Sequence, residues 1–125
     1  MPAAQPLAAT ATLDDWHRLG LQIRLALQPD SPGLVRTYLL HAEALIAQGL
    51  QPPWRAHERS LTLLLDTAYD ALLPIVWRIT CLDACCRPLG QLGPLVHDNV
   101  TATRLRTLAW RLASFSYRPQ EASRP

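Results

Sequence analysis

The apolar residues of the central segment recur at the spacing of one face of an α-helix. They follow an i, i+3, i+4, i+7 pattern over Leu61, Leu64, Leu65, Ala68 and Leu72. Pro52 and Pro53 stand where such a helix can begin, because the first helical position needs no backbone N–H donor. The segment therefore predicts an amphipathic helix from about Pro53 to Tyr69 that buries one leucine-rich face.

Prolines and glycines divide the rest of the chain into further segments with helical periodicity. The predicted helices cover residues 13–28, 32–48, 53–69, 74–87 and 100–117. A kink or tight turn is expected at Leu73–Pro74, and residues 90–99 are expected to form a loop. No segment alternates apolar and polar residues as a strand does. Because the connections are short, the sequence predicts an all-α fold, a single antiparallel bundle of four to five helices.

The predicted bundle domain covers residues 12–118, between a disordered N-terminal lead over residues 1–11 and a frayed C-terminus over residues 119–125. Its expected core combines the apolar stripes of all the helices: Trp16, Ile23, Tyr38, Leu45, Leu61, Leu64, Leu65, Ile79, Leu82, Leu108 and Leu112. The four tryptophans lie on different predicted helices and are all expected to anchor this core: Trp16, Trp54, Trp77 and Trp110.

Length and composition suit one soluble domain. The chain has 125 residues, of which 18% are charged, and that length is enough to bury a core. No window holds the roughly 18 consecutive apolar residues of a membrane span. The N-terminus lacks the positively charged and apolar regions of a signal peptide. A cytoplasmic protein without a membrane span is therefore expected.

The types of basic residue in the chain exclude several kinds of catalytic site. All twelve are arginine and the net charge is +2. Without lysine the chain has no Schiff-base lysine, no P-loop lysine and no Ser–Lys dyad. It also contains no GxGxxG, GxSxG, HExxH or Walker motif. The sequence thus favours a non-enzymatic protein that carries no cofactor.

Three cysteines lie within six residues. Cys81 and Cys85 are four residues apart and share a helix face, which predicts a partly exposed thiol pair, with Cys86 buried. Arg78, one turn earlier, is expected to lower the pKa of Cys81. With His97 as a third ligand the pair could hold zinc or iron. The alternative is three packed, inert cysteines.

Charged residues of the central segment form a candidate binding surface. Asp66 and Asp70 stand one turn apart near the predicted end of the third helix. An arginine fork can bind a carboxylate through two parallel hydrogen bonds, so Arg59 and Arg78 are predicted to pair with Asp66. Asp83, five residues beyond Arg78, completes the set of residues predicted to meet a partner.

A second charged feature is a row of arginines on the last predicted helix. Arg104, Arg111 and Arg118 recur every seven residues. Such a row could meet phosphates or an acidic partner. Because three arginines make a small patch, a solvated helix face is the expected reading, and nucleic-acid binding is not expected.

Three runs in the central segment resemble the FagA family of small bacterial proteins, named for a gene associated with that of the class II fumarase. They are Pro-Pro-x-Arg at residues 52–55, Leu-Leu-Leu-Asp-Thr-Ala at residues 63–68 and Trp-Arg-x-x-Cys-Leu-Asp at residues 77–83. The stretch around Trp16 is also similar. The resemblance covers the middle third of the chain well and the first helix loosely. It implies a role when iron is scarce or oxidants are high, and it implies no particular biochemical activity.

These observations favour a non-enzymatic helical accessory protein of the iron-limitation or oxidative-stress response. It would act through contacts with a protein partner of unknown identity, and self-association into a homo-oligomer is left open. The alternative is a small metal-binding or thiol-redox protein that uses Cys81 and Cys85.

Overall fold

The computed structural model describes residues 11–115, and these form an all-α bundle without a β-strand. The helices are α1 (Leu13–Arg24), α2 (Gly33–Ala47), α3 (Pro53–Tyr69), α4 (Ile75–Ala84), α5 (Cys86–Leu92) and α6 (Asn99–Phe115), with a 3₁₀ turn at Gly93–Leu95. The predicted all-α bundle is confirmed. The predicted lead and frayed C-terminus lie outside the described residues except for Ala11, which is buried against the core.

Helix α3 lies at the centre of the bundle and has the bounds that the sequence predicts. Pro53 opens it, and Pro52 before it is extended, since a residue preceding proline avoids the helical region. Beyond Tyr69 the backbone turns away at Asp70, whose carboxylate accepts a hydrogen bond from the N–H of Leu72 at 3.0 Å. Helix α3 packs against each of the other five α-helices, so its whole length positions the rest of the fold.

Helix α1 ends at Arg24, four residues before the predicted end. The N–H of Ala26 donates to the carbonyl of Ile23, and the N–H of Leu27 donates to that of Gln22. This is the Schellman pattern, and it places Ala26 in the left-handed region at φ 50°. Sequence reasoning missed it because the pattern normally uses glycine, as it does at the end of α2, where Gly49 has φ 74°.

Between residues 74 and 99 the helix boundaries differ from the predicted ones. Pro88 was expected to lie beyond the fourth helix, but it occupies the first turn of α5. Proline is tolerated there because the first N–H groups of a helix have no partner within it. Helix α5 therefore continues to Leu92 through the first part of the predicted loop. Asp98 then caps α6 by accepting a hydrogen bond from the N–H of Thr101 at 2.8 Å.

The core matches most of the predicted residues. Eight of them are buried: Trp16, Ile23, Tyr38, Leu45, Leu61, Leu64, Leu65 and Leu108. The rings of Trp16 and Tyr38 stack with centroids 5.4 Å apart. Gly20 lets α1 approach closely, because a Cβ at this position would lie 3.0 Å from Leu63 and 3.1 Å from Tyr38.

Other expected core residues are not fully buried. Ile79 is 46% exposed and Trp110 is 68% exposed, so both predictions are wrong. Leu82, Leu112 and Trp54 are half-buried.

Within the described part of the chain, no helix is both long and apolar enough to cross a membrane.

Candidate functional site

Helix α4 turns a different face to the core from the one its sequence predicts. The predicted stripe of this segment included Ile79, Leu82 and Cys86, which were expected to be buried. Trp77 is buried as expected, but it shares the inner face with Cys81 and Cys85. The indole N–H of Trp77 donates to the carbonyl of Ile23 at 2.9 Å, at the end of α1. Burying the largest side chain of α4 and satisfying its one donor sets the rotation of this helix.

The cysteines consequently have the reverse of their predicted exposures. Cys81 and Cys85 are fully buried and Cys86 is exposed. The Cys85 thiol donates to the carbonyl of Cys81 at 3.3 Å. Burial raises the pKa of both inner thiols to about 12, because a thiolate is poorly solvated there. The prediction of a partly exposed Cys81–Cys85 pair is therefore wrong.

The expected influence of Arg78 on Cys81 is absent as well. The Arg78 side chain points back to α3, where its Nε donates to the carbonyl of Ala68 at 2.8 Å. Its guanidinium carbon lies 5.9 Å from the centre of the Phe115 ring. Arg78 thus ties α4 to the end of α3 and lies over α6.

The predicted third metal ligand, His97, lies just before α6. Its Nδ1 is 3.1 Å from the carbonyl oxygen of Leu95, and its Nε2 is 3.5 Å from the carboxylate of Asp98. Over residues 11–115 no three His, Cys, Asp or Glu side chains are grouped to hold a metal ion. The structure therefore does not bring Cys81, Cys85 and His97 together as a ligand set.

Asp66 and Asp70 each pair with an arginine from a distant helix. Asp66 pairs with Arg111 of α6 at 3.0 Å, and Asp70 pairs with Arg24 of α1 at 2.8 Å. The hydrogen bond from Arg24 holds the pKa of Asp70 below its usual value, and the N–H of the Leu72 backbone contributes in the same direction. Both pairs cross between helices far apart in sequence, so spacing along the chain could not reveal them.

The predicted pairing of Asp66 with Arg59 and Arg78 is therefore wrong. Arg59 instead lies over the Trp16 ring, with its guanidinium carbon 5.8 Å from the ring centre. Arg59 and Asp66 do lie on one side of α3, as predicted, but Arg111 reaches Asp66 from α6 and satisfies it.

The arginine row of the last helix also has inter-helix partners. Arg104 pairs with Glu58 on α3: its Nη2 donates to one carboxylate oxygen at 2.9 Å, and its Nε lies 2.7 Å from the other. Arg111 binds Asp66, as described above. Arg118 lies outside the described residues. The row therefore joins α6 to α3, which the expectation of a solvated face did not include.

An apolar groove runs between α2 and the α4–α5 segment, with a volume of about 460 Å³. We call it the apolar groove; it is lined by Pro32, Val35, Arg36, Leu39, Leu40, Thr80, Asp83, Ala84, Cys86 and Arg87. Asp83 is the one predicted binding residue in it. Cys86, the exposed cysteine, lines the same groove.

Apolar side chains extend the wall of this groove along α4. Ile75, Val76 and Ile79 are 52%, 70% and 46% exposed. Val76 lies one turn before Thr80, and Ile79 one turn before Asp83, so they continue the same helix face. The prediction missed a signal for this surface in the sequence. Apolar residues lie on most sides of α4, and their number exceeds what one buried face needs.

One end of the apolar groove is held by charged residues. Arg87 binds Glu43 of α2 through two bonds of 2.7 and 2.9 Å, and Gln91 adds a third at 3.3 Å. The bonds from Arg87 lower the pKa of Glu43. Arg36 and Asp83 have no such partner within the described chain. The groove therefore has a fixed frame and two charged side chains of opposite sign that are available to a ligand.

Comparison of the chain with protein-family models, curated proteins and solved structures gives no match. The resemblance to the FagA family thus stays a prediction.

Proposed function

We propose that this protein is an interaction module that docks an amphipathic helix of a partner protein in the apolar groove. The observation that supports this most is the exposed apolar face of α4 beside the groove. Soluble proteins rarely leave contiguous apolar surface uncovered, and such patches commonly mark interaction sites.

The shape and charge of the groove define the partner. A groove between two helices suits the apolar face of a third helix, whose anchors recur at i, i+3 or i+4 and i+7. Arg36 on α2 and Asp83 on α4 line the groove with opposite charges, and neither has an ion pair with another described residue. A docked helix with an acidic residue toward Arg36 and a basic residue toward Asp83 would be held in one register.

This proposal keeps the reading that the sequence favours, a non-enzymatic accessory protein of the cytoplasm. The resemblance to the FagA family supplies its setting, the response to scarce iron or to oxidants. The thiol-redox alternative loses its support, because the two cysteines on which it depends are buried and have raised pKa values.

A cross-linker on Cys86 tests the proposal directly. Because Cys81 and Cys85 are buried, a maleimide that carries a photoreactive group should label Cys86 alone. Illumination of the labelled protein in extract from iron-limited cells should join it to one partner. Mass spectrometry of the adduct should then place the cross-link in an amphipathic helix of that partner. The corresponding synthetic helix should bind the unlabelled protein in solution.

Matched substitutions give the control. Val76→Glu and Ile79→Glu should abolish the cross-link, because each sets a charge on the docking face. Val100→Glu should leave it unchanged, since Val100 is 62% exposed on α6, a helix that does not line the groove. Circular dichroism would verify that all three variants remain folded. Cross-links only between two copies of this chain, or adducts that survive both α4 substitutions, would refute the proposal.

A further inference from the structure

A second groove, lined mainly by charged residues, lies on another part of the surface and shares no residue with the apolar groove. We call it the arginine groove; it is lined by Arg24, Arg55, Glu58, Arg59, Thr62, Leu63, Asp66 and Arg104. Its volume is about 590 Å³, enough for a small organic ligand. Its floor is the outer face of α3, and α1 and α6 supply one arginine each.

The arginines on the walls of this groove form ion pairs with carboxylates. Arg104 is fixed by Glu58, and Arg24 by Asp70. Asp66 is taken by Arg111, which comes from α6 beside the groove. Within each pair the positive and negative charges neutralise one another, and the paired side chains form the rigid walls of the groove.

The two arginines on the floor of the groove, unlike those on its walls, are not paired with carboxylates of the described chain. Within residues 11–115, Arg55 has no hydrogen bond or ion pair, and Arg59 lies over the face of the Trp16 ring without an ion pair. Both side chains are exposed. The groove has four arginines and two carboxylates in its lining, so two positive charges remain uncompensated. They belong to Arg55 and Arg59, because the wall arginines are paired.

The unpaired groups lie in one row. Arg55, Arg59 and Thr62 are at positions i, i+4 and i+7 of α3, which places them on one helix face. The hydroxyl of Thr62 also has no hydrogen-bond partner among the described residues. Two guanidinium forks and a hydroxyl therefore face the same space, and all of them can donate hydrogen bonds.

We propose that the arginine groove binds a phosphate group, with Arg55 and Arg59 as its direct ligands and Thr62 as a further donor. A phosphate dianion matches the two uncompensated charges, and its oxygens can accept from two arginine forks at once. A single carboxylate has one charge and two oxygens, and so leaves one fork unused. The phosphate comes either free or on a small phosphorylated metabolite.

Isothermal titration calorimetry of the purified chain tests this site. The probes are inorganic phosphate, glycerol 3-phosphate and acetate, which has a single carboxylate, each at the same ionic strength, because salt screens exposed charges. Saturable binding of one of the two phosphate compounds, with acetate much weaker, is the expected result. Tighter binding of glycerol 3-phosphate identifies a phosphorylated metabolite as the ligand, and tighter binding of inorganic phosphate identifies the free anion.

Substitutions locate the binding. Arg55→Gln and Arg59→Gln should each weaken phosphate binding about tenfold, the usual effect of losing one charge-assisted hydrogen-bonding group. Arg106→Gln is the control, since Arg106 is an exposed arginine of α6 that lines neither groove, and phosphate binding by this variant should remain within about twofold of the parent. Binding of acetate as tight as phosphate, equal loss in the control, or no saturable binding would each overturn the proposal. None of these outcomes affects cross-linking at Cys86, so the two proposals are tested separately.

Discussion

Helices α3 and α4 follow one another in the chain, yet their sequences predict their packing unequally. The bounds of α3 and the burial of Leu61, Leu64 and Leu65 are as its periodicity indicates, whereas Leu72, predicted in the same stripe, lies beyond the end of the helix and is 94% exposed. The inner face of α4 is a different one from the predicted stripe. The difference reflects position in the fold: α3 packs against all the other helices, whereas α4 lies at the edge and leaves one side uncovered.

Periodicity identifies a buried face only when the apolar residues form one stripe. In α3 the charged residues occupy the opposite face, so one orientation buries the leucines and keeps the charges at the surface. In α4 the apolar residues are spread around the helix, so periodicity favours no single orientation. Trp77 decides among them, because its ring is the largest and its N–H has a carbonyl to bind. The apolar residues left outside then become the candidate docking face.

The largest expected effect compares truncation of a leucine in α3 with truncation of an isoleucine in α4. Leu64→Ala should lower the free energy of unfolding by about 2–5 kcal/mol, because it removes a fully buried side chain and leaves a cavity. Ile79→Ala should change it by no more than about 0.5 kcal/mol, as expected for an exposed position. Urea denaturation followed by circular dichroism measures both. Comparable losses in the two variants would contradict the orientation of α4.

A smaller effect compares two tryptophans that the sequence does not distinguish. Trp77→Phe should lower the free energy of unfolding by about 1–3 kcal/mol, because the Ile23 carbonyl loses its buried indole donor. Trp110→Phe should have an effect within about 0.5 kcal/mol, since that ring is largely exposed. The same denaturation experiment measures them. Equal sensitivity at the two positions would show that the indole of Trp77 does not fix α4.

The smallest effect concerns a histidine on the inner side of α3. Burial lowers the pKa of His57 from 6.5, with Glu43 opposing the shift and Arg87 adding to it. The unfolded chain then binds a proton more readily than the native protein. The free energy of unfolding should therefore fall as pH drops below about 6.5 and recover above it.

A substitution isolates this contribution. His57→Gln should reduce the fall in stability between pH 7 and pH 5, because this variant has no buried imidazole that must take up a proton. Thermal denaturation across that pH range provides the measurement. If the pH dependence of stability is the same with and without His57, the His57 imidazole is solvated in the native protein.

The sequence alone determines the features that depend on local backbone chemistry. Thr12 caps α1 by accepting from the N–H of Asp15, Pro53 opens α3 and Gly49 ends α2, and each residue type favours that role by its own chemistry. Each depends on interactions between residues a few positions apart. The all-α fold follows from the same local rules together with the helical spacing of the apolar residues.

Only the tertiary structure decides the features that depend on residues distant in the chain. The partners of Asp66 and Asp70 come from α6 and α1, over 40 positions away. The burial of Cys81 and Cys85, and the exposure of Cys86, follow from the rotation of α4. That rotation depends on a carbonyl at the end of α1. Helix periodicity contains no information about such a carbonyl, because its position is set by the packing of the whole bundle.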